Sequence, residues 1–239
     1  VSGVGGAFKM LVVAGVLGVA LFGSMILYYR SNDPAGSTLM TWRKLSGEAV
    51  EQSWVGLDRI SPFLVRSVIA AEDGRFCSHR GVDFAELDAA MKAADRTGDE
   101  IVRGASTITM QTVKNLMLWH SRSYLRKGLE IPLAIALDAA WPKSRILEVY
   151  LNISEWGPGV FGAEAAARYH FGKPAARLSA TEAALLAAAL PNPLERNAGR
   201  PGPGLRRVAA TIETRARSLG TRALCIPGAE RPGGAATKP

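Results

Sequence analysis

The sequence predicts an all-α domain preceded by one transmembrane helix. Three observations carry this expectation: a long uncharged apolar run near the N-terminus, a succession of helix-start signals followed by apolar residues at helical spacing, and the lack of a convincing series of alternating strands. Of the 239 residues, 48% are apolar, too many for disorder over most of the chain. Two cysteines are too few for a disulfide-built miniature scaffold. The length suits one sizeable domain with appendages, since domains run to ~100–200 residues, and no repeat period points to a solenoid. A net charge of +8 favours anionic partners without choosing among nucleic acid, acidic lipid and phosphorylated ligands.

The first element is the uncharged run from Met10 to Tyr29, between Lys9 and Arg30. As a helix it spans about 30 Å, the thickness of a bilayer's hydrocarbon core. It is longer than a typical signal-peptide core, and no clear small-x-small cleavage site follows, so a retained anchor is expected. Tyr28, Tyr29 and Arg30 form an interfacial belt at its exit. Lys9 stands on one side and Arg30, Arg43 and Lys44 on the other, so a literal positive-inside count puts the bulk of the chain in the cytoplasm.

The next helix starts at Ser61-Pro62, with Ser as N-cap and Pro at the first helical position, ahead of the stripe Leu64, Val65, Val68 and Ile69. Pro142 and Ser144 begin another, with Ile146, Leu147, Tyr150 and Leu151 on one face. Ser179 and Glu182 form a capping box before an apolar run through Leu190 that stops at Pro191-Asn192-Pro193. Leu205 to Leu219 is a further helix carrying Arg206, Arg207, Arg215 and Arg217, and from Ile226 the Gly, Pro and Ala content predicts disorder.

Chemistry enters one turn beyond the Leu64 stripe. Positions 65, 68, 69 and 72 share a face, so Glu72 falls on the apolar side of its own helix. A carboxylate there is either ion-paired or desolvated. Desolvation disfavours the charged form and makes a Glu a proton acceptor near neutral pH.

Glu72 and Asp73 are followed at fixed spacing by Phe76, His79, Gly81 and Asp83. Then come Gly104, Ser106, Thr107, Ile108, Thr109, Met110 and Gln111; next Arg126, Lys127 and Glu130; and last Lys143, Ile146, Leu147, Glu148, Tyr150, Leu151 and Asn152. Four motifs in this order, over about Trp54 to Arg217, resemble those of the peptidoglycan glycosyltransferases, which polymerise lipid II into glycan strands. With no transpeptidase-sized region after residue 220, the chain resembles the monofunctional biosynthetic branch rather than the bifunctional penicillin-binding proteins. The resemblance implies a lysozyme-like helical domain with a small membrane-proximal jaw.

It also implies the chemistry. The donor is a growing glycan on undecaprenyl pyrophosphate, and the acceptor is the 4-hydroxyl of lipid II's terminal sugar. Glu72 matches the base that takes this hydroxyl's proton as it attacks the donor's anomeric carbon, with inversion and no glycosyl-enzyme intermediate. Glu130 matches a Glu near the departing pyrophosphate that orients cations or a divalent metal, Mg or Mn; no organic cofactor is implied. Lys114 and Arg122 match positions that contact donor phosphates, Arg126 and Lys127 are further cations or helix-surface ion pairs with Glu130, and Ser106 and Gln111 line the cleft. Asp73 is expected near the site, Ser106 could also be a helix N-cap, and Asp83 could orient neighbours or cap a turn.

Met110 departs from the family pattern by standing where many members have the first Gln of a pair. Pro132, two residues after Glu130, predicts a kink in that helix. His79 reads as a hydrogen-bonded organiser of its loop, and with His120 and His170 it makes no zinc-site spacing. No structural disulfide between Cys77 and Cys225 is expected.

Since lipid II is displayed outside the cytoplasmic membrane, the resemblance overrules the charge count. It implies a single-pass protein of the inner membrane with its catalytic domain in the periplasm. The expected organisation is a cytoplasmic N-terminus over 1–9, a span over 10–29, a juxtamembrane linker over 30–53, the glycosyltransferase domain over 54–220 and a disordered tail over 221–239. Trp42 and Trp54 are candidates for embedding in the interface or for the core. Other cell-wall synthesis proteins are candidate partners, and nucleic acid is not. The rival readings are a lytic transglycosylase or muramidase, which would need no cationic cluster, and a non-catalytic membrane-anchored scaffold.

Overall fold

The computed structural model describes residues 2–97, 105–119 and 123–229, in two compact units, Val1–Ala35 and Gly36–Pro239. The first unit is built on helix α1 (Ser2–Tyr29). Its segment Phe8–Tyr29, 22 residues of mean hydropathy 2.5, is long and apolar enough to cross a membrane. Leu11, Leu17, Val19 and Leu21 are all exposed, an arrangement unfavourable in water and favourable in hydrocarbon. Beyond the last turn, the Asn32 side-chain amide donates to the Tyr28 carbonyl at 2.8 Å.

The second unit is mostly helical. In one group α3 (Pro62–Glu72), α9 (Ala180–Ala189) and α10 (Pro203–Arg217) pack together, and in the other α5 (Ile108–Met117) lies against both α6 (Tyr124–Ala140) and α7 (Lys143–Ile153). The helix α2 (Thr38–Leu45) packs on α5, and α8 (Ala163–Phe171) on α7; α4 (Phe84–Thr97) follows the loop after α3. A small sheet of order β1-β3-β2 pairs β1 (Glu51–Gln52) parallel and β2 (Glu155–Gly157) antiparallel to β3 (Val160–Phe161).

Local signals account for where these helices start. The Ser61 hydroxyl accepts from the Phe63 N–H with Pro62 in the first turn, and Ser179 and Glu182 make both bonds of a capping box. The helix α9 is mainly alanine, and its buried Ala183, Ala184, Ala187 and Ala188 leave room for α3 and α10 to approach closely. The helix α6 continues through Pro132. The carbonyl deprived of a helical partner there belongs to Gly128, which is exposed to solvent rather than buried.

Three expectations need correction. From Gly36 onward the supposed linker belongs to the larger unit: the Thr38 hydroxyl lies 2.9 and 2.6 Å from the carbonyls of Asn115, in the last turn of α5, and Leu118, just past its end, and β1 is a sheet strand. Cys77 and Cys225 form a disulfide across 148 positions. The segment to residue 229 is packed rather than disordered, with Ile226 and Ala229 buried and a 3-10 turn at Gly220–Ala223. Gly and Pro there end regular elements without ending packing; residues 230–239 of the expected tail lie outside the described residues. Trp42 is 59% exposed, whereas the Trp54 ring lies 5.6 Å from the Arg145 guanidinium.

Gly81 fixes the loop between α3 and α4. Its φ is +81°, a Cβ would sit 2.4 Å from the Ala134 carbonyl oxygen of α6, and its own carbonyl accepts from the Thr107 hydroxyl at 2.6 Å. Gly81→Ala is therefore expected to destabilise the domain by roughly 2–4 kcal/mol in urea unfolding. A loss below about 0.5 kcal/mol, the scale of ordinary surface substitutions, would contradict this packing of the loop on α6.

Candidate active site

Glu72 is the last residue of α3, and its side chain points to the seam between the two helical groups. The Gln111 side-chain amide, from α5, donates to Glu72 Oε2 at 2.8 Å, and the buried Tyr150 hydroxyl, from α7, donates to Gln111 Oε1 at 3.1 Å. An ionised carboxylate needs a donor, so the Gln111 NH2 faces Glu72 and its oxygen faces Tyr150. Burial raises the proton affinity of Glu72, and the nearby Asp73 adds to the rise; the Gln111 bond and the Lys114 charge only partly oppose it. Burial also holds the Tyr150 hydroxyl well above its ordinary value, as do the charges of Glu72 and Asp73, so it remains a donor.

Asp73 fixes this geometry. Both of its oxygens lie 2.9 Å from His79 Nε2, and Oδ2 accepts the Ile108 N–H at 3.0 Å, tying the first turn of α5 to the end of α3. Thr107, not Ser106, is the N-cap of α5, accepting from the Met110 N–H; the Ser106 carbonyl lies 3.4 Å from the Gln111 amide. The Met110 side chain is buried in the core. Asp83 caps the start of α4 through the Glu86 N–H at 3.0 Å and pairs with Arg75. Burial alone would raise the Asp83 pKa, but the Glu86 N–H and Arg75 outweigh it and hold the carboxyl below its usual value.

Two cavities lie at the site, one lined by Glu72 and the other by its partner Gln111. One of about 410 Å³ is lined by Glu72, Asp73, Ser106 and Thr107 and also by Arg215, Ser218 and Arg222. A second of about 420 Å³ is lined by Gln111, Lys114, Arg126 and Tyr150, with Leu190 to Leu194 forming a wall. Burial lowers the proton affinity of Lys114, Arg126 and Lys127 lower it further, and the charges of Glu130 and Glu72 work against that. Glu130 is 2% exposed, with Arg126 on Oε1 and the Lys127 ammonium 3.1 Å from Oε2.

This arrangement does not suit a resident divalent cation at Glu130, because both carboxylate oxygens already face cationic side chains, and among the described residues no three His, Cys, Asp or Glu gather as ligands. Arg122 and His120 lie outside the described residues. The structure thus brings together Glu72, Asp73, Ser106, Gln111, Lys114 and Arg126, with Glu130 paired to Arg126 and Lys127.

The fourth motif braces the site. Glu148 Oε2 accepts the Leu57 N–H at 3.0 Å, and the Asn152 amide exchanges bonds with the Val55 N–H and carbonyl at 3.0 and 2.9 Å. Tyr150 as a donor to Gln111, and the walls from Leu190–Leu194 and from α10, escaped sequence reasoning. Tyr150 reads in sequence as one more apolar stripe position, and no local signal pairs α10 with the loop after α3.

A family model described as Transglycosylase matches residues 37–217. The chain is 53% identical over 190 residues to a Biosynthetic peptidoglycan transglycosylase of Rhizobium meliloti (strain 1021), covering 80% of each. It is 51% identical over 215 residues to the protein of that name from Nitrobacter hamburgensis, covering 87% of this chain and 94% of the relative. With that of Mesorhizobium japonicum the figures are 51% over 219 residues, 90% and 91%.

The raised proton affinity of Glu72 has a consequence for stability. The folded state binds its proton more tightly than the unfolded state, so this group's contribution is most favourable below the ordinary Glu pKa of 4.5 and declines as pH rises through the higher folded value. Glu72→Gln, which can still accept from Gln111, is expected to melt at or above the wild-type temperature at neutral pH. The difference should vanish below pH 4.5, the ordinary Glu value; calorimetry across pH checks this, and a variant less stable at neutral pH would contradict the desolvation.

Proposed function

This chain belongs to the transglycosylase family and is a peptidoglycan glycosyltransferase, and from that premise we propose how its residues divide the reaction. The observation that carries the proposal is a desolvated carboxylate joined through one amide to a cation-lined cavity. The acceptor, lipid II, enters the Glu72 cavity with its 4-hydroxyl at the carboxylate. The donor glycan lies with its undecaprenyl pyrophosphate in the second cavity.

Glu72 takes the hydroxyl proton as the oxygen attacks the donor's anomeric carbon. The bond from that carbon to the pyrophosphate oxygen breaks as the new bond forms, turning an α-linked donor into a β-1,4-linked glycan. Lys114 and Arg126 receive the charge that builds on the leaving group, in a partly dry site where fixed charges act strongly. Glu130 and Lys127 serve as positioning residues: Glu130 aims Arg126 along the helix, and its two cationic neighbours offset the cost of burying it. Tyr150 and Gln111 keep a donor on the ionised Glu72, stabilising the form that accepts a proton.

The helix α1 anchors the enzyme in the inner membrane, with the catalytic unit in the periplasm where lipid II is displayed. The Cys77–Cys225 disulfide supports that side, since such bonds persist in oxidising compartments. Anchoring confines enzyme and lipid-borne substrate to one surface and raises their effective concentration.

Incubation of the purified full chain with labelled lipid II tests the proposal. Polymer is expected, and Glu72→Gln should reduce its rate by at least ~10²-fold, a typical general-base contribution. Release of fragments from preformed glycan, with no polymer from lipid II, would instead favour a cleaving enzyme. Lys114→Ala should lower turnover and weaken a donor-mimicking phosphoglycolipid inhibitor by roughly 10-fold or more, since a charge-assisted contact contributes about 1.5–3 kcal/mol. Unchanged inhibitor affinity would contradict the assignment of the second cavity to the donor pyrophosphate.

A further inference from the structure

The Glu72 cavity has a wall with no part in the mechanism above. Arg215, in the last turn of α10, and Arg222, in the 3-10 turn beyond it, line the same cavity as Glu72. The carboxylates around the cavity do not engage them. Asp83 is taken by Arg75, Asp73 by His79 and the Ile108 N–H, and Glu72 by Gln111, while Glu86 stands exposed at the start of α4. Among the described residues neither Arg215 nor Arg222 makes an ion pair, and Arg222 reaches only the Ser218 carbonyl, at 3.5 Å.

These guanidiniums are borne by a segment that is firmly held. The buried Arg66 of α3 donates from Nε to the Ala216 carbonyl at 3.0 Å and from Nη2 at 2.6 Å, and it also reaches the Ala229 carbonyl. Leu219, Ala223 and Ile226 are buried, and Cys225 is bonded to Cys77, in the same loop that carries Arg75. Fixing the backbone beneath two long cationic side chains lowers the entropy lost when they close on a ligand.

We propose that Arg215 and Arg222 form a preorganised anion subsite in the acceptor cavity, receiving an anionic group of the incoming lipid-linked saccharide while its hydroxyl is presented to Glu72. This rests on the assignment of that cavity to the acceptor. The ligand chemistry is an oxyanion that accepts guanidinium hydrogen bonds, from either the acceptor's pyrophosphate or the carboxylates of its stem peptide. Each cavity thus has its own cations: Lys114 and Arg126 for the leaving group, Arg215 and Arg222 for the acceptor.

The test measures binding of labelled lipid II to the full-length protein in detergent, with the donor cavity filled by the phosphoglycolipid inhibitor. R215Q/R222Q is expected to weaken lipid II binding about 10-fold, the scale of exposed charge-assisted contacts, to leave inhibitor affinity unchanged, and to regain most binding as R215K/R222K. In turnover assays the loss should fall on KM, with kcat within about twofold. The same comparison with lipid II amidated at its stem carboxylates identifies the source. If the difference between wild type and R215Q/R222Q disappears, the peptide is the ligand; if it persists, the pyrophosphate is. Equal lipid II binding by wild type and R215Q/R222Q, or a loss that Lys does not rescue, would overturn the subsite. Failure of the wild-type protein to polymerise lipid II would overturn the functional reading itself, a separate result.

Discussion

Removing a carboxylate from water disfavours its ionised form, and the site is organised around Glu72 being removed only part of the way. At neutral pH the ionised group is a liability for folding, eased by one hydrogen bond from Gln111 and the field of Lys114. Those two groups make a proton acceptor usable without making it so stable that it ceases to be basic. Moving it into a full ion pair would favour folding and weaken the base, a familiar opposition between stability and activity.

Much of the surrounding architecture serves to hold that compromise. Gln111 and Lys114, three residues apart, share a face of α5, so one helix presents both the partner of the base and a cation of the neighbouring cavity. The register of α5 is set by Asp73 on the Ile108 N–H, with His79 behind it, and the direction of the Gln111 amide is set by Tyr150 of α7. Three helices are thereby tied together by polar contacts at one point, where a slip of a single residue would remove the partner of Glu72. The far wall is held by a different means, through Arg66 and the disulfide.

What could be read from sequence was what is local. Ser61-Pro62 and the Ser179–Glu182 box mark their helix starts because caps act within four residues, and one turn of periodicity sufficed to put Glu72 on the apolar side of α3. Lys114 was found only through the resemblance to a family, and the spacing of Arg126 alone also fits surface ion pairing with Glu130. What escaped depends on distant partners: the Cys77–Cys225 bond spans 148 positions, and Thr38 reaches carbonyls at the end of α5 from what composition alone presented as a linker. Thr107 caps α5 although Ser is generally the stronger cap, because the backbone path into the helix, not the residue type, decides which of two adjacent capping residues lies at its start.

The claim on which the rest turns is that Glu72 keeps its proton to higher pH than an ordinary Glu while still facing a cleft. Carbon-detected NMR of the full chain labelled at its Glu side-chain carboxyls, with Glu72→Gln identifying the resonance, measures this directly. The account predicts a titration midpoint above the ordinary value of 4.5 that moves higher still when Lys114 is replaced by Ala, because the opposing positive charge is gone. A midpoint at or below 4.5, unmoved by the loss of Lys114, would contradict it.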